Sequence, residues 1–154
     1  MIQRIQTLFL GLVVIVMSLN LFSPVWIASH AYRKITIMPF YLLDNNEGVE
    51  KHHGILYVAI AIILIIGIAI FSMSQFKNRT LQLRLGMLNS LLLSAVVLAF
   101  YLVIGKGKTM MGETFEESFE LGFYLPLVSI IFNILANRFI KKDDDLVKSV
   151  DRIR

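Results

Sequence analysis

Four long runs of this chain hold no Asp, Glu, Lys or Arg: residues 5–32, 54–76, 85–105 and 121–137. All four are rich in Ile, Leu, Val and Phe, and they constrain the fold more than any other feature. A helix needs roughly 20 apolar residues to cross about 30 Å of hydrocarbon. The first three runs meet that length outright. The fourth is shorter, but Arg138 can snorkel to the interface and Phe119 can extend the other end. A strand left open in lipid would carry unpaired backbone groups, so these runs predict helices. The expected spans are residues 5–27, 54–76, 85–105 and 121–139. The fold class expected is an all-α membrane protein, a four-transmembrane-helix bundle forming one domain over residues 1–154. Short extracytoplasmic β-strands in the outer loops and an amphipathic C-terminal helix complete it. Composition agrees: the chain is 56% hydrophobic and only 17% charged, with the charges gathered between the runs.

The first run admits a second reading. Arg4, the apolar run and "ASHA" resemble a secretory signal peptide with its cleavage site. The run is expected to be retained as an anchor.

Orientation follows from Lys and Arg outside the runs. Ten lie on one side: Arg4, then Lys77, Arg79 and Arg84, then Arg138, Lys141, Lys142, Lys148, Arg152 and Arg154. Five lie on the other: Arg33, Lys34, Lys51, Lys106 and Lys108. The basic side, with the loop 77–84 and the tail 140–154, is expected to be cytoplasmic, as are both termini. The outer loops are then 28–53 and 106–120. This topology also accounts for the net charge of +4, so no nucleic-acid partner is expected. The sequon Asn78-Arg79-Thr80 falls on the inner side and is expected to be chance.

In the first outer loop "YRKITIMPFYLL" is followed by the turn signal "DNNEG". One or two short strands are expected there, with Pro39 at an edge or a break. The second outer loop, "KTMMGETFEESFEL", either pairs with the first or begins the fourth helix early. The favoured arrangement is a small sheet capping the bundle. The only histidines, His30, His52 and His53, also lie in the first loop. His52 and His53 are weak candidates for a metal, with Asp44, Glu47 and Glu50 nearby. Their spacing matches no standard site, and solvated or interfacial histidines are the favoured reading.

No run carries an ionisable residue at mid-depth, which counts against a proton-coupled transporter. Small and amide residues recur instead. Gly86, Ser90 and Ser94 share one face of the third helix, and Ser129, Asn133 and Asn137 one face of the fourth. Small residues let helices approach, and amides bond between them. Asn89, Asn133 and Asn137 fall in the cytoplasmic half, where they are expected to form a polar knot with Gln6. Packing glue is the favoured role and a substrate pocket the alternative. Tyr57, Tyr101 and Trp26 are expected to be interfacial anchors.

No catalytic constellation is found: there is no phosphate loop, HExxH, GxSxG or paired carboxylate within a run. "GKGK" at 105–108 lacks the Walker spacing. With no cysteine, a disulfide, a thiolate nucleophile or a Cys-based zinc site is excluded. No cofactor is expected.

The tail keeps a helical period beyond the last apolar run. Phe139, Leu146, Val150 and Ile153 form a narrow stripe, with Val147 beside them. Asp143, Asp144 and Asp145 suit a helix start, and Arg152 and Arg154 its end. The tail is expected either to lie at the inner interface or to continue the fourth span. Lys141 and Lys142 are placed to meet anionic headgroups.

Three segments resemble a bacterial family of short four-span inner-membrane proteins known only as a domain of unknown function. They are "MIQRIQ", "FKNRTLQLRL" and "YLPLVSIIFNILANRFIKKDDDLVKSVDRIR". Ala136-Asn137-Arg138, Ile140-Lys141-Lys142-Asp143 and Asp151-Arg152 are the most specific part. The resemblance implies four helices in a Gram-negative inner membrane and implies no activity. Its three segments all lie at or near the expected cytoplasmic face, where Gln3, Arg4, Gln6, Asn78, Arg79, Gln82, Arg84, Asn137, Arg138, Lys141 and Asp143 are expected to converge. The functional expectation is a non-enzymatic accessory or scaffold subunit in the lipid bilayer. Arg4, Arg79, Arg84, Arg138, Lys141, Lys142 and Arg152 are its expected contacts with a protein partner or anionic lipid. The alternative is a small-molecule or lipid-handling carrier or membrane enzyme with a polar pocket around Asn89 and Asn133.

Overall fold

The computed structural model describes residues 2–76, 78–112 and 114–151, and within them side chains from residue 5 to residue 147. In chain order the elements are α1 (Ile2–Phe22), β1 (Trp26–His30), β2 (Arg33–Ile37), β3 (Tyr41–Asn46), β4 (Val49–Gly54), α2 (Leu56–Ser74), α3 (Arg79–Met111), β5 (Glu116–Phe119) and α4 (Leu121–Asp151). The four helices are each long and apolar enough to cross a membrane. They close into a ring of packed pairs: α1 on α2 and α4, and α3 on α2 and α4.

The all-α expectation is corrected. Helices are joined by a five-stranded sheet of order β4-β3-β2-β1-β5, antiparallel throughout. The first loop supplies four strands rather than one or two, and the sheet begins at Trp26, inside the expected first span. The second loop pairs with the first, as β5 runs beside β1. All the strands lie between α1 and α2 or between α3 and α4, so the sheet sits at one end of the bundle. The opposite end is formed by the short turn between α2 and α3.

The sheet forms because its side chains alternate. Trp26, Ala28, Ile35, Ile37, Leu42 and Asp44 are buried, with more exposed neighbours between them along each strand. Glu47 and Gly48, both at positive φ (51° and 84°), make the two-residue turn between β3 and β4. Pro39 lies in the bend between β2 and β3, where it interrupts no ladder, and there the Met38 N–H donates to the Tyr41 carbonyl at 2.9 Å. The buried face rests on the last turns of α3. There Gly107 lets the Trp26 ring approach so closely that a Cβ would stand 2.8 Å from it.

The end of α3 also differs from expectation, and the tail takes one of its two expected arrangements, continuing α4. The third span was expected to stop at 105, but α3 continues to Met111, because Lys106 and Lys108 end the apolar run without ending the helix. The tail helix is no separate element: α4 runs unbroken for 31 residues, about 46 Å. Trp26 is no interfacial anchor either. It is fully buried (0% exposed), and its Nε1–H donates to Glu117 at 2.9 Å.

Candidate functional site

Three contacts set the axial register of α3 against α4. At the turn end the Arg79 Nε–H donates to Asp143 Oδ2 at 2.7 Å. Two turns higher the Asn137 side chain lies over Gly86, where any Cβ would collide with it. Above that, Asn89 Nδ2 donates to Asn133 Oδ1 at 3.4 Å, a long and weak bond. Because the helices are antiparallel, this ladder puts Arg84 and Arg138, each five residues from the Arg79–Asp143 pair, at one depth.

That depth is where the uncharged runs of α3 and α4 end. Arg84, Arg138, Lys141 and Lys142 are all exposed there. Arg138, Lys141, Lys142 and Asp145 recur at helical spacing and line, with Leu146, an open hollow of about 480 Å³ on α4. Arg79 belongs elsewhere. Its side chain is 22% exposed and that of Asp143 13%, so the pair clamps α3 to α4 and is not offered to a partner. The side chain of Arg4 and all of Arg152 lie outside what is described.

Inside the bundle at this same end lies a polar core. Asn133 Nδ2 donates to the Gly86 carbonyl (2.9 Å) and to Ser90 Oγ (2.7 Å). Of the expected knot of Asn89, Asn133, Asn137 and Gln6, only Asn89 and Asn133 are bonded to each other among the described residues, and Asn133 is bonded to Gly86 and Ser90. Ser94 is not part of it, being exposed and bonded back to the Ser90 carbonyl. Ser129 and Gln6 are buried, yet Ser129 Oγ and both amide atoms of Gln6 have no partner among the described residues. Phe9 stacks on Phe139 at 5.5 Å, and Gln6 lies one turn earlier on α1, toward the basic end. Ser72 was missed in the sequence, and Gln82 was expected only at the cytoplasmic face. Gln82 is buried and donates to the Ser72 carbonyl at 2.8 Å, and Ser72 is itself buried. The signal was present: Gln82 precedes Gly86 and Ser90 at steps of four. The oxygens Gln82 Oε1, Asn89 Oδ1, Asn137 Oδ1 and Ser72 Oγ also lack partners among the described residues. A buried polar atom left bare costs about 1–3 kcal/mol, so this concentration at one end needs an account.

At the sheet end two carboxylates are paired, while Asn20 Oδ1 is buried without a partner among the described residues. Arg33 donates through Nε and Nη2 to both oxygens of Asp44 (2.9 and 2.7 Å), and through Nη1 to the Met110 carbonyl. The Arg33 guanidinium holds the Asp44 carboxyl below the usual carboxylate range. Lys108, and then the Trp26 N–H, do the same for Glu117. His52 and His53 are neighbours on β4 and so project to opposite faces of the sheet, with His52 edge-on to Tyr41 at 5.4 Å. They cannot chelate one ion together, and among the described residues no three His, Asp or Glu side chains gather to hold a metal.

The arrangement offers charge and hydrogen bonds but no nucleophile or base at mid-depth. The family described as "Domain of unknown function (DUF4293)" matches residues 2–153. No curated protein matches the chain.

Proposed function

We propose that this chain, which belongs to the DUF4293 family, is a non-enzymatic accessory or scaffold subunit of a bacterial inner membrane. Its basic end faces the cytoplasm, and the exposed cationic face of α4 holds an acidic surface of a protein partner at the level of the headgroups. The observation that carries this reading is the hollow on α4, lined by three cations, Arg138, Lys141 and Lys142, against one acid, Asp145, and Leu146. It sits on a helix that runs on past Arg138 for about 20 Å, from residue 138 to 151, a rigid arm rather than a loose tail. The excess of Lys and Arg at this end supports the cytoplasmic orientation. Arg84, exposed at the same depth on α3, widens the cationic belt.

The test is mild-detergent purification from the native host, comparing the natural chain with an Arg138→Gln/Lys141→Gln/Lys142→Gln variant. A stoichiometric partner recovered with the first and lost with the second, at equal membrane insertion, is the expected result. Recovery of the same partner by both chains overturns the proposal. Retention of anionic lipid alone, with no protein, would assign the belt to headgroups instead. Arg79→Gln is the internal control: it loosens α3 from α4 and should lower thermal stability while leaving recovery unchanged.

A further inference from the structure

The unpartnered polar atoms of the bundle are distributed unevenly. Gln6, Ser72, Gln82, Asn89 and Asn137 lie toward the turn end and Ser129 near mid-depth, while Asn20 Oδ1 stands apart at the sheet end. Between these and Asn20 comes an apolar layer of Met17, Val58, Val96 and Phe100. Two of the bare atoms have their identity settled by the bond made by the other half of the same amide. Gln82 spends its Nε2 on the Ser72 carbonyl, so Oε1 is the free acceptor. Asn133 spends its Nδ2 on Gly86 and Ser90, so its Oδ1 accepts from Asn89 Nδ2, and Asn89 Oδ1 is left free. Both oxygens require a donor, and no lipid chain can supply one. No ionisable side chain of the described residues lies among them, so an ion is a poor occupant. The packing leaves under 1 Å² of accessible surface on each of these atoms, so an occupant must be small and must part the helices slightly.

We propose that the turn-end half of the bundle is a hydration site. Water enters between the helices from the basic end, bonds to Gln82, Asn89, Ser72 and Ser129, and stops at the apolar layer of Met17, Val58, Val96 and Phe100. Single waters therefore reach about midway across, one polar side chain at a time, and are stopped on the far side by that layer. Water suits the site because it donates twice, accepts twice and is the smallest such molecule.

The absence of cysteine makes the test direct. Ser72→Cys and Ser129→Cys are near-isosteric, and each gives the chain a single thiol whose S–H stretch stands alone in the infrared. In lipid nanodiscs transferred to D₂O, that stretch moves to the S–D position once water reaches the sulfur. The Val96→Cys thiol reports the dry layer. The proposal expects exchange at positions 72 and 129 to be at least about ten-fold faster than at position 96, as for thiols in wet and dry surroundings. Exchange at 72 and 129 as slow as at 96 overturns it, and means that the amides satisfy one another in a dry core. Both sides of a nanodisc are open to solvent, so the outcome is independent of the orientation and partner proposed above.

Discussion

At the scale of single residues, the sheet end is held by ion pairs whose titration can be followed. Arg33 grips both oxygens of Asp44, whose side chain is only 9% exposed, and Lys108 pairs with Glu117 at 2.8 Å. Both carboxyls are held below their usual range. A carboxylate with a depressed folded-state pKa contributes its full stability above its unfolded value, about 4, and loses it as pH falls through the folded value. Thermal stability in detergent is therefore expected to be flat from neutrality to about pH 5 and to fall below about pH 4. Asp44→Asn should lower stability at pH 7 and weaken the acid-side fall. A variant with an unchanged acid limb would show that Asp44 is not responsible. Residues of this kind were only half legible in the sequence. Asp44 was visible as a turn-flanking acid, but its burial breaks the apolar-inward rule and is explained only by Arg33 across the ladder. Trp26 stood at the end of an uncharged run, where an interfacial anchor looks the same as a core residue. Gly107 under its ring is what distinguishes the two.

At the scale of elements, α4 contains its own repair. Pro126 has no N–H, so the Gly122 carbonyl one turn earlier loses its helical donor. Asn20, fully buried on α1, supplies it instead: Nδ2 donates to that carbonyl at 2.6 Å. Gly122 in turn approaches the end of α1 so closely that a Cβ would meet the Pro24 carbonyl oxygen at 2.5 Å, and its N–H donates to that oxygen at 2.8 Å. Asn20→Leu is expected to cost about 1–3 kcal/mol in unfolding measurements, the penalty of a bared carbonyl. The same substitution in a Pro126→Ala background, where the helix regains its donor, should cost less. Equal losses in both backgrounds would break the link between the two residues.

The helices were readable as elements because lipid removes every alternative for an uncharged run of about 20 residues. The sheet was not readable at its true size. β4 presents no buried side chain at all, so its sequence carries no alternation, and it is a strand only through its pairing with β3. The extension of α3 to Met111 was hidden by Lys106 and Lys108, which mark where a span leaves lipid but not where a helix ends. In the polar core, Asn89 and Asn133 were found from spacing. Gln82 was placed at the cytoplasmic face rather than in the core, and Ser72 was not found, because a single polar residue near a span end reads equally well as surface.

At the scale of the whole molecule, the two ends of the bundle are unlike. One is a paired, capped sheet and the other a cationic arm below a polar half-core. The partner, the headgroup belt and the direction from which water enters in a cell all depend on which end faces the cytoplasm. Single-cysteine reporters at exposed positions settle this in a chain that has none of its own. Lys51→Cys places a thiol on β4 and Lys142→Cys one on the α4 arm, both exposed. With a membrane-impermeant maleimide applied to intact spheroplasts, the account predicts labelling of the Lys51→Cys chain at once and of the Lys142→Cys chain only after lysis. Labelling of the Lys142→Cys chain in intact spheroplasts, with Lys51→Cys protected, would contradict it.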